Sequence, residues 1–309
     1  MVQENSLNKI IVVCGPTGSG KSKLAVELAL KYGGEVISAD SVAIYEHLNV
    51  GSAKPTIEEM KGVKHHLIDV VSPFDEFSVS DYEKHALNAI EDIISRGKLP
   101  IICGGTGFYV NSVLYKMSYG KAKGDLNVRA KYQALAKEQG NQAVFDILKE
   151  KDPETAKILH VNDQVRVIRA LEIVESSGIK KSDIVDEKIP RFDFISITTD
   201  MPRDVLYDRI NRRVDLMIEN GIEEEVKGLL NLGVTLENQC MQGIGYKEVV
   251  ESITSGLEFP TELVKMNSRR YAKRQITFFK RYENLIKYNP LIYGELEKLC
   301  KIIDNFLNN

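Results

Sequence analysis

Gly15-Pro16-Thr17-Gly18-Ser19-Gly20-Lys21-Ser22 stands directly behind the apolar run Ile10 to Cys14 and ahead of a helical pattern. Strand, glycine-rich loop, Lys-Ser and helix in that order make a P-loop, whose backbone N–H groups turn inward as an anion nest at the positive end of a helix dipole. The stretch therefore predicts an α/β protein that binds a diphosphate or triphosphate. Lys21 supplies a point charge, and the Ser22 hydroxyl is the usual Mg²⁺ ligand of such a loop. The loop alone does not choose among kinases, other NTPases and transferases, which share it.

Outward from the loop, the first ~115 residues alternate short apolar runs with helical patterns, the signature of βαβ units. The expected strands are Ile10 to Cys14, Glu35 to Ser38, His66 to Val70 and Pro100 to Cys103. Between Lys116 and Pro190 the pattern turns helical, as in Val128 to Glu138 and Gln164 to Ser176, with no convincing strand. Phe192 to Thr198 reads as one more strand, and the chain from Pro202 onward reads as helical. The expected fold is thus a P-loop-type parallel sheet core, residues 1–115 with 191–309, carrying a helical insertion at 116–190 and a helical C-terminal segment.

A chain of 309 residues with 43% hydrophobic content can bury a large core. No run approaches the roughly 18 apolar residues of a membrane span, and Met1 to Lys9 is too polar for a signal peptide, so a cytoplasmic, membrane-free protein is expected. Cys14, Cys103, Cys240 and Cys300 are far apart and give neither a zinc pattern nor a disulfide framework. A net charge of −3 excludes indiscriminate coating of nucleic acid, leaving room only for a local basic patch. Nothing in the sequence points to a protein partner.

Asp40 ends the second expected strand and so sits at the carboxyl edge of the sheet, where open α/β proteins build their sites. From position alone it is equally a Mg²⁺-ordering carboxylate or a general base, and Asp69 competes for the metal role. Gly104-Gly105-Thr106-Gly107 follows the fourth strand, so Thr106 is either a ligand contact or the N-cap of the next helix. Arg166 and Arg169 share one helix face, with Val165, Ile168 and Leu171 expected to face a core. Arg209, Arg212 and Arg213 form a second cluster, Arg209 and Arg213 one turn apart. Residues 268–281 hold six basic residues, no acidic one, and interleaved aromatics, which fits either nucleic acid or a solvated basic helix.

In order along the chain, GPTGSGKS at 15–22, SADSVAIY at 38–45, GSAKP at 51–55, HHLIDV at 65–70, GGTGFY at 104–109, HVNDQVRVIRAL at 160–171, GIGYKE at 243–248 and YAKRQITFFKR at 271–281 resemble the tRNA dimethylallyltransferase family. The resemblance covers nearly the whole chain. It implies transfer of a dimethylallyl group from dimethylallyl diphosphate to N6 of adenosine 37 in tRNAs reading codons that begin with U, with release of diphosphate and with Mg²⁺ as cofactor. On that reading Gly15, Pro16, Thr17, Gly18, Ser19, Gly20, Lys21, Ser22 and Arg166 hold the diphosphate, Ser22 ligates the metal, and Asp40, Thr106 and Arg213 are catalytic. The positions matching tRNA contacts are Asp40, Ser41, Val42, Ala43, Thr106, Arg129, Val165, Arg166, Val167, Ile168, Arg169, Gln242, Gly243, Ile244, Gly245, Tyr246, Lys247, Lys273, Arg274, Gln275 and Lys280. Ala43, Val161 and Phe278 depart from residues common in the family, which bears on the RNA contacts and not on the reaction.

Two other readings share parts of this pattern. A prenyltransferase acting on free adenine nucleotides would use the P-loop, Asp40 and Thr106 without needing the helical insert or the basic segment. A small-molecule P-loop kinase would need the loop alone.

Overall fold

A computed structural model of the chain describes residues 7–117, 125–184 and 188–309. The first six residues of the polar Met1 to Lys9 segment, and residues 118–124 and 185–187 of the insert, lie outside the described residues. The strands are β1 (Lys9–Cys14), β2 (Gly34–Ala39), β3 (His65–His66), β4 (Leu99–Gly104), β5 (Asp193–Thr199) and β6 (Ile286–Tyr288). The α-helices in chain order are α1 (Lys21–Tyr32), α2 (Ile57–Met60), α3 (Val79–Ser95), α4 (Gly107–Leu114), α5 (Leu126–Gln139), α6 (Asn141–Lys151), α7 (Pro153–Ile158), α8 (Gln164–Ser177), α9 (Arg203–Glu219), α10 (Ile222–Asn231), α11 (Tyr246–Ser255), α12 (Thr261–Phe279) and α13 (Glu295–Asn308).

The chain divides into two compact units, residues 1–115 with 190–309, and residues 116–189. In the first, all described strand pairs are parallel, in the order β3-β2-β4-β1-β5-β6. The central strands are apolar on both faces because helices cover both faces, the requirement of an all-parallel sheet. Ile11, Val13 and Ile101 pack under α1 and α13, while Ile10, Val12 and Ile102 pack with residues of α3, α4 and the C-terminal helices.

Register explains why the site lies where it does. Cys14 is level with Gly104 and Thr198, and Gly104 is level with Ala39. The next residue on each strand is therefore Gly15, Gly105, Thr199 or Asp40. Four chain segments leave the sheet side by side at its carboxyl edge.

Two strand expectations change. His66 to Val70 is strand only at its start, because Leu67 (φ 61°) and Asp69 (φ 54°) adopt left-handed backbone that no strand accommodates. The C-terminal region is not wholly helical: Ile286–Tyr288 pairs with β5 as an edge strand.

The second unit is built on Tyr132, Val144, Phe145, Leu148, Val167, Ile168 and Leu171 from α5, α6 and α8. Val165, expected to face a core, is instead 80% exposed, and Val167 takes the buried place. Asp163 precedes α8, so the helix starts one residue before Val165 and its apolar face falls on 167, 168, 170 and 171.

Candidate active site

The P-loop is braced from beneath. Ser19 Oγ is buried and donates to Pro16 O at 2.7 Å, while Thr199 Oγ1 donates to Ser19 Oγ at 2.5 Å, tying the loop to the end of β5. Gly20 takes φ 85° as the chain turns into α1, a conformation costly for any residue with a Cβ. Among the described residues Lys21 Nζ makes one hydrogen bond, a long one of 3.4 Å to Pro16 O. Burial lowers its pKa, and Arg213 adds to that lowering against the Cys103 and Asp40 charges. A half-buried ammonium with so little to bind is suited to an incoming anion. Ser22 lies exposed in the first turn of α1.

Asp40 Oδ1 accepts the Val42 and Ala43 N–H groups at 2.9 and 3.2 Å, an Asx turn that holds the carboxylate at the head of the Ser41–Ala43 bend. Thr106 occupies the N-cap position of α4 but makes no capping side-chain bond. Its Oγ1 accepts the Ser41 N–H at 3.1 Å and donates to Ser41 Oγ at 3.3 Å, so the hydroxyl belongs to the Asp40 turn and not to the helix. Asp69 does not share the crevice: its carboxylate is bonded at 2.5 Å by Lys54, whose ammonium also holds Tyr45 O.

Thr17, Asp40, Ser41, Ser52, Arg213 and Arg274 are among the residues around a cavity of about 260 Å³, with Val42, Ile210, Val214, Met217 and Ile244 forming its apolar wall. Arg213 reaches it from α9. Burial lowers the Arg213 pKa, and the Asp40 carboxylate acts against that shift. Half-buried Tyr271 also lines the cavity, and burial pushes its phenol up to about 12, with the Asp40 charge adding to the rise. The cavity thus has a cationic, phosphate-loop side, an apolar wall and a single carboxylate.

Several residues expected to contact tRNA are held by protein partners or buried. Gln275 is 5% exposed, and both ends of its amide are used: Oε1 accepts the Thr17 N–H at 2.9 Å and Nε2 donates to Gly105 O at 3.1 Å. Tyr246, Val167 and Ile168 are buried, so their side chains pack within the protein. Ala43 is buried too, and Gly245 turns the chain into α11 at φ 96°. Gln242 and Lys247 are exposed, with Gln242 Nε2 bonded to Leu236 O. On α12 and just beyond it, Arg270, Lys273, Arg274, Lys280 and Arg281 are exposed and have no acidic partner among the described residues.

In the second unit, fully buried Glu172 accepts Asp125 N–H (2.7 Å) and Arg129 Nη2 (3.2 Å) on one oxygen and Arg169 Nη1 (2.7 Å) on the other. Sequence reading singles out both arginines and misses the carboxylate that orients them; its only trace is the i, i+3 spacing of Arg169 and Glu172. Arg166 is exposed and pairs with Asp163 at 3.2 Å. In the sequence Arg209 stands out only as a neighbour of Arg213. Its Nη1 lies 3.8 Å from the place a Cβ on Gly20 would occupy, so it flanks the phosphate loop.

The family model described as IPP transferase matches residues 43–282. The tRNA dimethylallyltransferase of Thermoanaerobacter sp. strain X514 is 46% identical over 308 residues, covering 97% of both chains. The full-length tRNA isopentenylpyrophosphate transferase structure from Bacillus halodurans is 39% identical, with a TM-score of 0.74 and 97% of each chain covered. A eukaryotic dimethylallyltransferase structure, described as acting on tRNA, is 31% identical, with a TM-score of 0.83 over 98% of this chain and 80% of its own. The family model spans well over half of the chain, the relatives cover nearly all of it, and this chain belongs to the IPP transferase family.

Proposed function

We infer that this protein transfers the dimethylallyl group of dimethylallyl diphosphate to N6 of adenosine 37 in tRNAs that read codons beginning with U, and that it does so in the cytoplasm. The observation that carries this reading is the lining of one cavity by Thr17, Asp40 and Arg213 together with an apolar wall. A kinase needs no apolar wall between its phosphate loop and its base. The two mechanistic options for Asp40 divide in favour of the base, because its carboxylate faces an apolar-walled chamber large enough for a branched five-carbon group.

Adenine N6 is a weak nucleophile, its lone pair being delocalised into the ring. Asp40 accepts an N6 proton as the new C–N bond forms at the allylic C1, while the C1–O bond breaks and its electron pair leaves on diphosphate. A positioned base of this kind contributes about 10²–10⁴-fold. The leaving charge is met by the P-loop amides, Lys21, the Thr106 hydroxyl and Arg213, with Arg166 assigned to it by resemblance; each such donor is worth about 3 kcal/mol. The apolar wall excludes water from an electrophilic allylic carbon.

Mg²⁺ fits this donor set. Ser22, exposed in the first turn of α1 directly behind the phosphate loop, offers one hydroxyl oxygen, and magnesium characteristically takes few protein oxygens with phosphate and water as the rest. Ser22 would hold it, and it would neutralise diphosphate charge. The flipped-out base would approach past the 242–247 segment, with Lys273, Arg274 and Lys280 on phosphates; the resemblance also gives RNA contacts to Arg129 and Arg169. No helix among the described residues is long and apolar enough to cross a membrane.

The test is direct. Protein, Mg²⁺ and dimethylallyl diphosphate are incubated with an unmodified tRNA of the UNN class and, separately, with AMP, and the products are digested and analysed by mass spectrometry. Prenylated A37 is expected. Labelled AMP with tRNA untouched would reject the reading in favour of a free-nucleotide enzyme.

A further inference from the structure

Arg213 faces the cavity, but what aims it lies two layers behind. Its Nη2 donates to Ser52 O at 2.8 Å. A neutral carbonyl orients a guanidinium without cancelling its charge, leaving that charge for an anion. The question is then what fixes Ser52. Its N–H donates to Tyr246 Oη at 3.1 Å, and Tyr246 Oη donates in turn to Glu225 Oε1 at 2.7 Å. The same carboxylate collects the three preceding amides: Asn49 N–H at 2.7 Å and Val50 N–H at 2.8 Å on Oε2, and Gly51 N–H at 3.2 Å on Oε1.

Three consecutive N–H groups converging on one anion form a nest of the same kind as a phosphate loop, here filled by the protein's own side chain. Gly51 completes the fit, since a Cβ there would lie 2.6 Å from the Tyr246 ring. The motif GSAKP at 51–55 and the tyrosine of GIGYKE at 243–248 are thereby explained together. One carboxylate on α10 ties the 49–52 turn and α11 into a single rest for Arg213.

We propose that Glu225, acting through Tyr246 and the Asn49–Ser52 turn, is a positioning residue that holds Arg213 in register with the departing diphosphate. This rests on the reading that Arg213 meets that diphosphate. Arg213 acts on charge that grows as the C–O bond breaks, so a loosened rest lowers kcat and leaves KM for dimethylallyl diphosphate and tRNA nearly unmoved. Glu225→Gln turns an amide donor toward backbone donors. Tyr246→Phe keeps the buried ring and removes only the bridging hydroxyl, so it carries the test if Glu225→Gln folds poorly.

The experiment is a double-mutant cycle on the full chain, measuring kcat and both KM values for Arg213→Ala, Glu225→Gln, Tyr246→Phe and the two double variants with Arg213→Ala. Loss of Arg213 is expected to lower kcat by about 100-fold, and loss of its rest by about tenfold, as for a misplaced catalytic group. Each double variant should be no slower than Arg213→Ala alone. Losses that multiply, or full rates in both Glu225→Gln and Tyr246→Phe, overturn the proposal, because a merely structural role would persist without the arginine. Full activity in Arg213→Ala would instead remove the reading of Arg213 itself, and the proposal with it.

Discussion

The side chain of Gln275 accepts the backbone N–H of Thr17 at 2.9 Å, so a residue of α12 completes the phosphate loop. Its Nε2 simultaneously holds Gly105 O, bridging two glycine-rich turns that leave adjacent strands. Gln275→Leu would strand the buried Gly105 carbonyl, at a cost of about 1–3 kcal/mol, and leave the half-buried Thr17 N–H to water. Urea unfolding should show that loss, and KM for dimethylallyl diphosphate should rise because the loop is no longer held. An unchanged urea midpoint would mean that water replaces the amide.

Asp40→Asn keeps an oxygen to accept the Val42 and Ala43 N–H groups, so the turn should persist while the base is lost. Single-turnover prenylation is expected to slow by about 10²–10⁴-fold, with tRNA affinity little altered. Undiminished turnover would return Asp40 to a purely structural or metal-ordering role.

The exposed cations of α12 predict a salt signature. Arg270, Lys273 and Arg274 changed together to Ala should weaken tRNA binding at all sequences and flatten the plot of log K against log salt by about 0.7–0.9 for each phosphate left without its cation. Filter binding across a salt series reads this directly, and parallel lines for the variant and the parent would contradict it.

At the amino end of β2, far along the strand from Asp40, buried Glu35 is held by Arg96 (2.5 and 2.8 Å), Lys98 (2.8 Å) and His66 (2.7 Å). The Arg96 hydrogen bonds, helped by those of Lys98 and His66, keep its carboxyl well below the ordinary 4.5 against the opposing effect of burial. Because the folded pKa is the lower one, the unfolded chain takes up the proton first. The stabilisation is complete above 4.5 and is lost as pH falls further. Thermal melts should therefore show the gap between the parent and Glu35→Gln narrowing as pH is taken below 4.5. A gap that stays constant would assign the cluster no pH-linked role.

What the sequence revealed depended on how local each signal was. Gly15 to Ser22 and Asp40 were legible because loop, strand end and helix start are contiguous, and strand register does the rest. His66 to Val70 misled because its residues favour strands while Lys54, from another segment, pins Asp69 in a left-handed turn. Ile286–Tyr288 is too short to display a period of two and is strand only because β5 offers it an edge. The structural partners of Gln275, Glu225 and Glu172 were passed over for one reason. Apart from the Arg169–Glu172 pair, these partners lie far off in sequence, and no spacing rule connects residue 275 to 17, 225 to 49 or 172 to 125.

Where the helical insert begins and ends, Tyr115 and Pro190 face each other in an antiparallel bridge, and the Arg191 N–H reaches back to Leu114 O. The polypeptide thus departs from the sheet-bearing unit and rejoins it at one spot. Topologically the intervening stretch is a cassette: a chain spliced across that junction would still own every described strand and the described residues lining the crevice. Lengthening or trimming the cassette away from Arg166 over evolutionary time would leave the crevice's own lining untouched, which gives selection room to retune which polynucleotides are admitted.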